Sequence, residues 1–533
     1  DNGNLLFKQS TAITNIYSIT GSGTVTQSGT GTTVLNPDGS HDIYTFAGGF
    51  TVTSGYLEVD ITSATSSFGN ALVSGGTFSM NGNLTSITNL TINGGLMNLN
   101  GTYNNSASAP IIIGNGTLSL NKQDIFGSWQ SNVVTPITVN AGGVLQNGSN
   151  SANAGYVYNT LGDVTLNGGK IQSLGTNGNN SSGTAFGLKG TVTVTGSGTS
   201  TIAGAGFALG EAGSASATFS VASGATLNVT GNLVNGDKGY QLLVSNWGDK
   251  QASSLVKTGD GVMIVAGTNT YTGTTTVNGG TLRAGSTTAF GSNSAVTLSN
   301  ATGVVLDLNG YNNSVASLSG GGSNGGNITL GSGTLTLGQG TATTYGGSIS
   351  GSGGVVITGG SGGSLLLTGS NGFTGPLTVN SVSGYNYNSN SSLVLSNASG
   401  NAIQGNLVIG NATSGFVTVG AFAANQFGSN SALVMNSLGT AGNSSYFVMH
   451  ANQTVAGLSG TMGPGGAIEI NKYADSTNYG SQTLTVNVAA GTNYTLTGGS
   501  AGSGNIRNTD NVGSSVLTLV KSGAGTQTIT NVN

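Results

Sequence analysis

The sequence predicts an all-β protein that folds as a right-handed parallel β-helix, also called a β-solenoid. Three observations lead to this prediction. Short runs alternate apolar residues with Thr, Ser or Asn, Gly and Asn interrupt almost every run, and whole phrases recur along the 533 residues. Recurring phrases indicate a repeat protein in which each unit buries its apolar face against its neighbours. We expect about 20 coils of roughly 20 to 30 residues each.

The strands are predicted from the alternating runs, which include 77–81, 90–93, 192–195, 334–337 and 483–487. Side chains of a strand point alternately to its two faces, so a period of two is typical of strands with one buried face. No window has convincing helical periodicity. Only 5 residues are Pro although 96 are Gly, which argues against a collagen-like or Pro-rich disordered chain.

A short motif of the form Thr-x-Asn-Gly-Gly, with Ala for the first Gly in one copy, marks four turns. The copies lie at 91–97, 138–144, 165–171 and 276–282. Asn-Gly is a strong signal for a two-residue β-hairpin. The alternative, which we favour, is the corner of a coil, where Asn and Gly adopt the left-handed conformation. Asn side chains at equivalent corners would then hydrogen-bond from coil to coil.

Longer phrases recur in the second half of the chain. Residues 261–278 align with 363–380 without a gap, and the segment that leads into the first copy, 254–261, returns at 519–525. The region 254–533 is therefore interpreted as a degenerate tandem array of β-strand repeats.

The first half is less regular. Residues 1–253 are interpreted as an irregular β-solenoid, with loops extruded from its coils at 104–110 and 175–184. No linker is clear enough to split the chain. We expect 254–533 to continue the same solenoid.

The best copy of the repeat joins Leu-Val-Lys-Thr-Gly-Asp-Gly at 255–261 to Gly-Thr-Asn-Thr-Tyr-Thr-Gly-Thr-Thr-Thr-Val-Asn-Gly-Gly-Thr-Leu at 267–282. It resembles the autotransporter-associated β-strand repeat of bacterial autotransporter passengers. Further copies lie at 348–380 and 515–530, with a faint one at 18–35. The resemblance implies a right-handed parallel β-helix that is displayed on, or released from, a bacterial cell surface.

Repeats of that family are structural, so the resemblance brings no catalytic residue to this chain. Autotransporters also carry a translocating β-barrel after the passenger. We expect this barrel domain to be absent here, because no segment rich in alternating aromatic strands follows the repeats, which run to 531–533.

Charged residues are scarce, at 5% of the chain with a net charge of −4. No basic stripe exists to bind a nucleic acid, and no apolar run approaches the roughly 20 residues of a membrane-spanning helix. We therefore expect no nucleic-acid partner and no membrane insertion of this segment. Cys is absent, which excludes disulfides and thiolate metal sites. This composition suits an extracellular protein of the bacterial cell surface.

We expect no enzymatic activity, no catalytic residues and no cofactor. The alternative is a polysaccharide lyase or hydrolase on a β-helix, whose chemistry requires paired carboxylates or a Ca²⁺ ion with a basic side chain. Of the 15 acidic residues only three are Glu (Glu58, Glu211 and Glu469), and the Asp residues are mostly isolated. The only two arginines, Arg283 and Arg507, are far apart in sequence.

We also predict no metal site. Asp38, His41 and Asp42 could contact a metal together, but their spacing is weak for ligands, and a solvated turn is the favoured interpretation. The other histidine, His450, follows a short apolar run and is expected to face outward at the end of a strand.

Two sets of residues are candidates for contacts with partners. Tyr385 and Tyr387 share one face if 384–389 is extended, where they could stack on a sugar ring of a glycan or host-surface ligand; simple solvent exposure is the alternative. Neither end of the sequence resembles a solenoid cap. We expect end-to-end self-association into a filament, with a sequence cut within a longer array as the alternative. The expected assembly contacts are Leu5, Leu6, Phe7, Ile13, Leu517, Leu519, Val520 and Ile529.

Overall fold

The computed structural model describes most of the chain, and its described part contains 55 strands and no helix. Within that part, no helix has the length and apolarity needed to cross a membrane. The described residues are 3–15, 19–35, 45–60, 67–82, 87–103, 109–126, 135–148, 158–174, 186–204, 206–210, 214–236, 251–291, 294–359, 363–380, 392–410, 417–437, 445–463, 465–470, 480–498, 504–508 and 515–533.

The chain divides into two compact units, residues 1–274 and 275–533. The boundary that we predicted at 253/254 and the continuity of the two parts stay predictions. The strands of the first unit are β1 Leu5–Phe7, β2 Ile13–Asn15, β3 Thr20–Gly21, β4 Val25–Gln27, β5 Thr32–Leu35, β6 Thr45–Phe46, β7 Phe50–Val52, β8 Tyr56–Asp60, β9 Ser67–Phe68, β10 Asn70–Val73, β11 Thr77–Asn81, β12 Asn89–Ile92, β13 Leu96–Leu99, β14 Ile111–Ile113, β15 Thr117–Leu120, β16 Ile137–Asn140, β17 Val144–Asn147, β18 Asn159–Leu161, β19 Val164–Asn167, β20 Lys170–Ser173, β21 Phe186–Leu188, β22 Thr191–Val194, β23 Thr199–Ala203, β24 Phe207–Leu209, β25 Ser216–Val221, β26 Thr226–Val229, β27 Leu233–Asn235, β28 Ser254–Thr258 and β29 Val262–Val265.

The second unit contains the remaining strands of the described part. They are β30 Thr275–Val277, β31 Thr281–Ala284, β32 Ala295–Leu298, β33 Val305–Asp307, β34 Asn313–Val315, β35 Ser317–Gly320, β36 Asn327–Thr329, β37 Leu335–Leu337, β38 Thr343–Tyr345, β39 Ile349–Ser350, β40 Val355–Ile357, β41 Leu365–Leu367, β42 Leu377–Val379, β43 Leu393–Leu395, β44 Leu407–Ile409, β45 Val417–Ala421, β46 Leu433–Ser437, β47 Ser445–Met449, β48 Gln453–Val455, β49 Leu458–Met462, β50 Gly466–Ile470, β51 Gln482–Asn487, β52 Asn493–Gly498, β53 Gly504–Asn508, β54 Leu517–Ser522 and β55 Thr526–Thr530.

Two long parallel sheets run through the first unit. The first sheet contains β1, β4, β7, β10, β12, β14, β16, β19, β22, β25 and β28. The second sheet contains β2, β5, β8, β11, β13, β15, β17, β20, β23, β26 and β29. Two shorter sheets add a third side to some coils, one of β3, β6 and β9 and one of β18, β21, β24 and β27. Paired residues of neighbouring coils lie 19 positions apart at Asn70↔Asn89 and 38 apart at Ser216↔Ser254.

The second unit is also built from parallel sheets that run along the stack of coils, but its additional sheets are formed by other strands. Its first sheet contains β30, β32, β35, β38, β41, β43, β45, β47, β50 and β53. A four-stranded sheet contains β31, β33, β36 and β39, and a nine-stranded sheet contains β34, β37, β40, β42, β44, β46, β49, β52 and β55. A last sheet contains β48, β51 and β54. Strands pair in parallel with the next coil in each of these sheets, which confirms the predicted parallel β-helix.

The core lies inside the coils and consists of stacked apolar side chains. In β8, for example, Leu57 and Val59 are fully buried, and they lie beside Phe78 and Met80 of the next coil. The alternation of buried and partly exposed residues confirms the period-two prediction. Apolar residues in register from coil to coil bury one another, which is the main stabilising term of a solenoid.

The Thr-x-Asn-Gly-Gly motif forms corners rather than hairpins. At 91–97 it joins β12 of the first sheet to β13 of the second, and the same relation holds for β19 and β20. Gly95 and Gly280 have φ angles of 70° and 60°, where a residue without a Cβ is favoured. One predicted coil-to-coil hydrogen bond between corner amides is seen in the described part, from Asn167 Nδ2 to Asn140 Oδ1 at 3.3 Å.

Candidate functional surface

The repeat motif places a lysine inside a coil. Lys257 lies on β28 in register with the buried Phe219 of β25, and it is itself fully buried. Its ammonium group donates hydrogen bonds to the carbonyl oxygens of Thr258 at 2.8 Å and Gly259 at 2.7 Å. Burial lowers the pKa of the Lys257 ammonium to about 8, and the Asp260 carboxylate opposes this shift. Because the charge is bonded to its own turn, this lysine serves the corner of the coil.

The copy of the motif at the end of the chain has the same corner. Lys521 on β54 donates to the carbonyl oxygens of Ser522 at 2.8 Å and Gly523 at 2.9 Å. The glycines of the two corners have nearly equal φ angles, 71° at Gly259 and 74° at Gly523. Unlike Lys257, however, Lys521 is exposed.

Gln27 occupies the corresponding position near the start of the chain. It is fully buried, and its amide nitrogen donates to the carbonyl oxygens of Gly29 at 2.9 Å and Gly31 at 3.3 Å. Its amide oxygen accepts a hydrogen bond from the Thr33 hydroxyl at 2.6 Å. A neutral amide therefore fulfils here the role that the Lys257 ammonium fulfils in the later copy.

A second motif position holds a buried asparagine that links two coils. Asn269 accepts a hydrogen bond from the backbone N–H of Leu233 at 2.8 Å, and its amide nitrogen donates to the Gly267 carbonyl at 3.0 Å. Two residues later, Tyr271 is buried in the core.

The aligned copy repeats each of these contacts. Asn371 accepts from the Ile349 N–H at 2.9 Å and donates to the Gly369 carbonyl at 3.2 Å, and Phe373 is buried. The motif residues thus build corners and core, and they leave the outward faces of the sheets as the surfaces that can meet a partner.

One polar face lies on the second sheet of the first unit. Along β8 the side chains of Tyr56, Glu58 and Asp60 point outward, while Leu57 and Val59 point into the core. The Tyr56 hydroxyl donates to Glu58 Oε2 at 2.9 Å. Burial raises the pKa of the Tyr56 phenol, and the neighbouring carboxylates act in the same direction.

Polar side chains follow in register on the next coils, and we call this surface the amide track. Its first column is Glu58, Ser79, Asn98, Ser119, Gln146 and Gln172. Its second column is Asp60, Asn81, Asn100 and Asn121, at the outward positions two residues further along each coil.

Hydrogen bonds in the second column all run in one direction. Asn121 Nδ2 donates to Asn100 Oδ1 at 2.9 Å, and Asn100 Nδ2 donates to Asn81 Oδ1 at 2.6 Å. Asn81 Nδ2 then donates to both carboxylates, Glu58 Oε1 at 2.7 Å and Asp60 Oδ1 at 2.6 Å. A chain with one donor direction polarises its members and holds the two carboxylates at fixed positions.

This chain of hydrogen bonds begins two coils beyond Asn121. Gln172 Nε2 donates to Gln146 Oε1 at 2.8 Å, and the Gln146 amide lies 3.4 Å from the Ser119 hydroxyl. Ser119 in turn donates to Asn121 Oδ1 at 2.8 Å. The amide track is therefore one connected network across six coils. Sequence reasoning missed it, although the Tyr-Leu-Glu-Val-Asp alternation at 56–60 signalled an outward polar face.

The predicted contact residues have mixed outcomes. Tyr385 and Tyr387 lie outside the described residues, as do Asp38, His41 and Asp42. Among the predicted assembly contacts, Leu5, Phe7 and Leu517 are half-buried. The others are 37 to 46% exposed: Leu6, Ile13, Leu519, Val520 and Ile529.

Two ion pairs lie in the second unit. Arg283 Nε lies 2.7 Å from Asp307 Oδ2, and Arg507 Nε lies 3.2 Å from Glu469 Oε2. The prediction that His450 faces outward is wrong: its ring is buried because it stacks on Phe422, with ring centroids 4.0 Å apart. Within the described ranges, no group of three or more His, Cys, Asp and Glu side chains could hold a metal ion.

Comparison with known proteins adds an independent observation. The family model of the passenger-associated transport repeat matches residues 25–59, 255–284, 362–381 and 519–533. These segments carry the corners built on Gln27, Lys257, Asn371 and Lys521. A curated relative, the adhesin BmaC autotransporter of Brucella suis biovar 1 (strain 1330), is 31% identical over 121 residues. That alignment covers 20% of this chain and 4% of the adhesin. No solved structure matches the chain.

The fold, the corners and the matched segments agree with one another. The described parts of the matched segments lie in coils, and in three of them a polar side chain, Gln27, Lys257 or Lys521, donates to carbonyl oxygens of its own corner. The chain therefore carries passenger-associated transport repeats, the kind of repeat found in autotransporter passengers, and it folds as a parallel β-helix.

Proposed function

We propose that the chain is a non-enzymatic, extracellular structural or adhesive component of a bacterial surface. The passenger repeats support secretion to the cell surface or beyond it, and the relative named as an adhesin supports contact with a partner surface. The single observation that carries the proposal is that the polar motif residues hydrogen-bond within the coils. Lys257 and Asn269 are spent on corner hydrogen bonds, so the repeated positions build the scaffold.

Adhesion is tested with latex beads that carry the purified chain. Retention of these beads on a monolayer of cultured epithelial cells is compared with retention of albumin-coated beads under the same flow. We expect more chain-coated beads to remain. Equal retention of the two kinds of bead would contradict the adhesive role and leave the structural one.

The absence of catalysis is tested separately. The chain is incubated with polygalacturonate, dextran and a β-1,3-glucan, and new reducing ends and unsaturated products are measured. We expect neither to increase above the heat-inactivated control. Turnover of any of these polymers would replace the proposal with the alternative, a polysaccharide lyase or hydrolase on a β-helix.

The proposal extends to assembly of copies head to tail. Leu519, Val520 and Ile529 on the last coil and Leu6 and Ile13 on the first are exposed apolar side chains. A second copy that stacks on either coil would bury them and continue the strand pairing, which generates an open filament.

Assembly is tested by analytical ultracentrifugation of the chain at increasing concentration. Large, concentration-dependent species are expected for the wild type and not for a Leu519→Asp, Ile529→Asp double variant. Tyr311→Asp is the matched control, because Tyr311 is 40% exposed but lies between β33 and β34, away from the last coil. Deletion of residues 1–13 should also abolish assembly. Fibres that persist in both end variants would exclude this contact.

A further inference from the structure

The amide track connects six coils of the first unit through side-chain hydrogen bonds on an outward sheet face. Its members lie on neighbouring strands of a parallel sheet, so equivalent groups recur about every 4.8 Å along the stack of coils. The outward positions of the first sheet differ in chemistry. There, threonines and apolar residues share one column, as in Thr91, Ile112 and Thr138.

Most of the donors of the track are already used inside it. Both hydrogens of the Asn81 amide go to carboxylates, and the Asn100 amide donates to Asn81 and to the Ser79 hydroxyl at 3.0 Å. The Asn121 amide donates to Asn100 and to Asn98 Oδ1 at 3.3 Å.

Acceptor capacity remains at one end of the track. A carboxylate has about four lone-pair sites. Glu58 accepts from Tyr56 and Asn81, and Asp60 accepts from Asn81, among the described residues. On the same face two coils away, the Asn98 amide nitrogen makes no hydrogen bond within the described part and is a free donor.

The two carboxylates also differ from the described acids of the second unit, Asp307 and Glu469. Asp307 and Glu469 each lie within 3.2 Å of an arginine, whereas neither Glu58 nor Asp60 forms an ion pair with a described residue. The Asn81 amide lies between Glu58 and Asp60 and points its N–H groups at both carboxylates. These N–H groups would repel a metal ion, whereas the carboxylate oxygens can accept further hydrogen bonds from a ligand.

We propose that the amide track binds an uncharged, hydroxyl-rich polysaccharide that lies along the stack of coils. A sugar hydroxyl both donates and accepts, so it can donate to Glu58 and Asp60 and accept from Asn98. The half-buried Tyr56 ring beside Glu58 offers an apolar surface for the face of a sugar. The two carboxylates repel a polyanion. This inference rests on the proposed adhesive function and names its ligand class.

The test uses surface-immobilised dextran, mannan and β-1,3-glucan as neutral probes and polygalacturonate as the anionic probe. Binding of the full chain is measured by surface plasmon resonance. We expect saturable binding to at least one neutral probe and none to polygalacturonate. A Glu58→Gln, Asn98→Ala variant should bind that neutral probe at least about tenfold more weakly, because two ligand hydrogen bonds are lost. The matched control, Thr91→Ala with Thr138→Ala on the first sheet, should bind as the wild type does.

Several outcomes overturn the inference. These are no binding to any neutral probe, tighter binding to polygalacturonate, or equal affinity of the Glu58→Gln, Asn98→Ala variant and the wild type. Circular dichroism checks that this variant is folded, and Glu58→Gln alone, which conserves size, is the second variant if it is not. If no neutral probe binds but beads are still retained on cells, only the ligand class is rejected. Loss of both would reject the proposed function.

Discussion

Two copies of one heptapeptide, at 255–261 and 519–525, show what the repeat determines by itself and what its surroundings add. In both copies the lysine donates to the next two carbonyl oxygens of its own chain. In both, the last glycine donates its N–H to the preceding coil, Gly261 to Val221 at 2.9 Å and Gly525 to Val488 at 3.0 Å. The corners are therefore alike in geometry.

Their burial differs. Lys257 and Leu255 are fully buried, whereas Lys521 is exposed and Leu519 is 40% exposed. The corner is thus a local property of the heptapeptide, since turn residues and nearby carbonyls suffice to form it. The burial of a repeat copy depends on the packing around its coil. The contribution of that copy to stability therefore depends on the same packing. The experiments below compare the two copies in the full chain.

The largest difference is expected for the leucines. Leu255→Ala removes a fully buried side chain and should lower the free energy of local unfolding by about 2 to 5 kcal/mol. Leu519→Ala should lower it by less than about 1 kcal/mol, because the side chain is 40% exposed and outside the packed core. Hydrogen exchange of peptides from 254–265 and 516–530 reports the two values. Equal losses would show that the two coils are equally packed.

The lysines should differ in the pH dependence of stability. Burial gives Lys257 a pKa of about 8 in the folded chain against the ordinary value of 10.5. Between these values the unfolded chain binds more protons, so the free energy of unfolding rises with pH across this window, by up to about 3 kcal/mol. The extra stability is absent below pH 8.

The urea midpoints of wild type, Lys257→Met and Lys521→Met at pH 7 and pH 10.5 check this sign. Wild type should gain stability relative to Lys257→Met as the pH rises, because Met carries no titrating group. Lys521→Met should follow the wild type. If the wild type also gained stability relative to Lys521→Met by the same amount, the difference between the buried and the exposed corner would be contradicted.

A smaller effect is expected for the coil-linking asparagines. Asn269→Ala leaves the Leu233 N–H without its acceptor, and Asn371→Ala does the same to Ile349. Each should cost about 1 to 3 kcal/mol, the typical penalty of an unsatisfied buried donor. Thermal unfolding of the two single variants measures both. Clearly different costs would contradict the view that aligned motif copies form equivalent corners.

Much of the fold could be predicted from the sequence, because strand periodicity and turn chemistry are local. The alternation in 77–81 predicted β11, and Asn-Gly-Gly at 93–95 predicted the corner between β12 and β13. The inward position of Lys257 could not be read from the sequence. Lys257 points inward because it pairs with the buried Phe219, and this pairing depends on the register of two coils 38 residues apart. A lysine is also rarely a core residue.

The candidate surface was harder to predict for a similar reason. Glu58, Asn81, Asn100 and Asn121 are separated by about one coil each in sequence, and only the register of the second sheet brings them together. Each residue alone resembles an ordinary solvated side chain. The sequence therefore identified the family of the repeat and left the polar network undetected.

Peptide-resolved hydrogen exchange of the dilute full chain tests the central claim most directly, namely that the repeat forms its own corner and gains stability from packing around its coil. We expect amides in 254–265 to exchange at least about tenfold more slowly than those in 516–530, while both segments exchange more slowly than an unfolded chain. Equal protection of the two copies, or no protection at all in 516–530, would contradict the account.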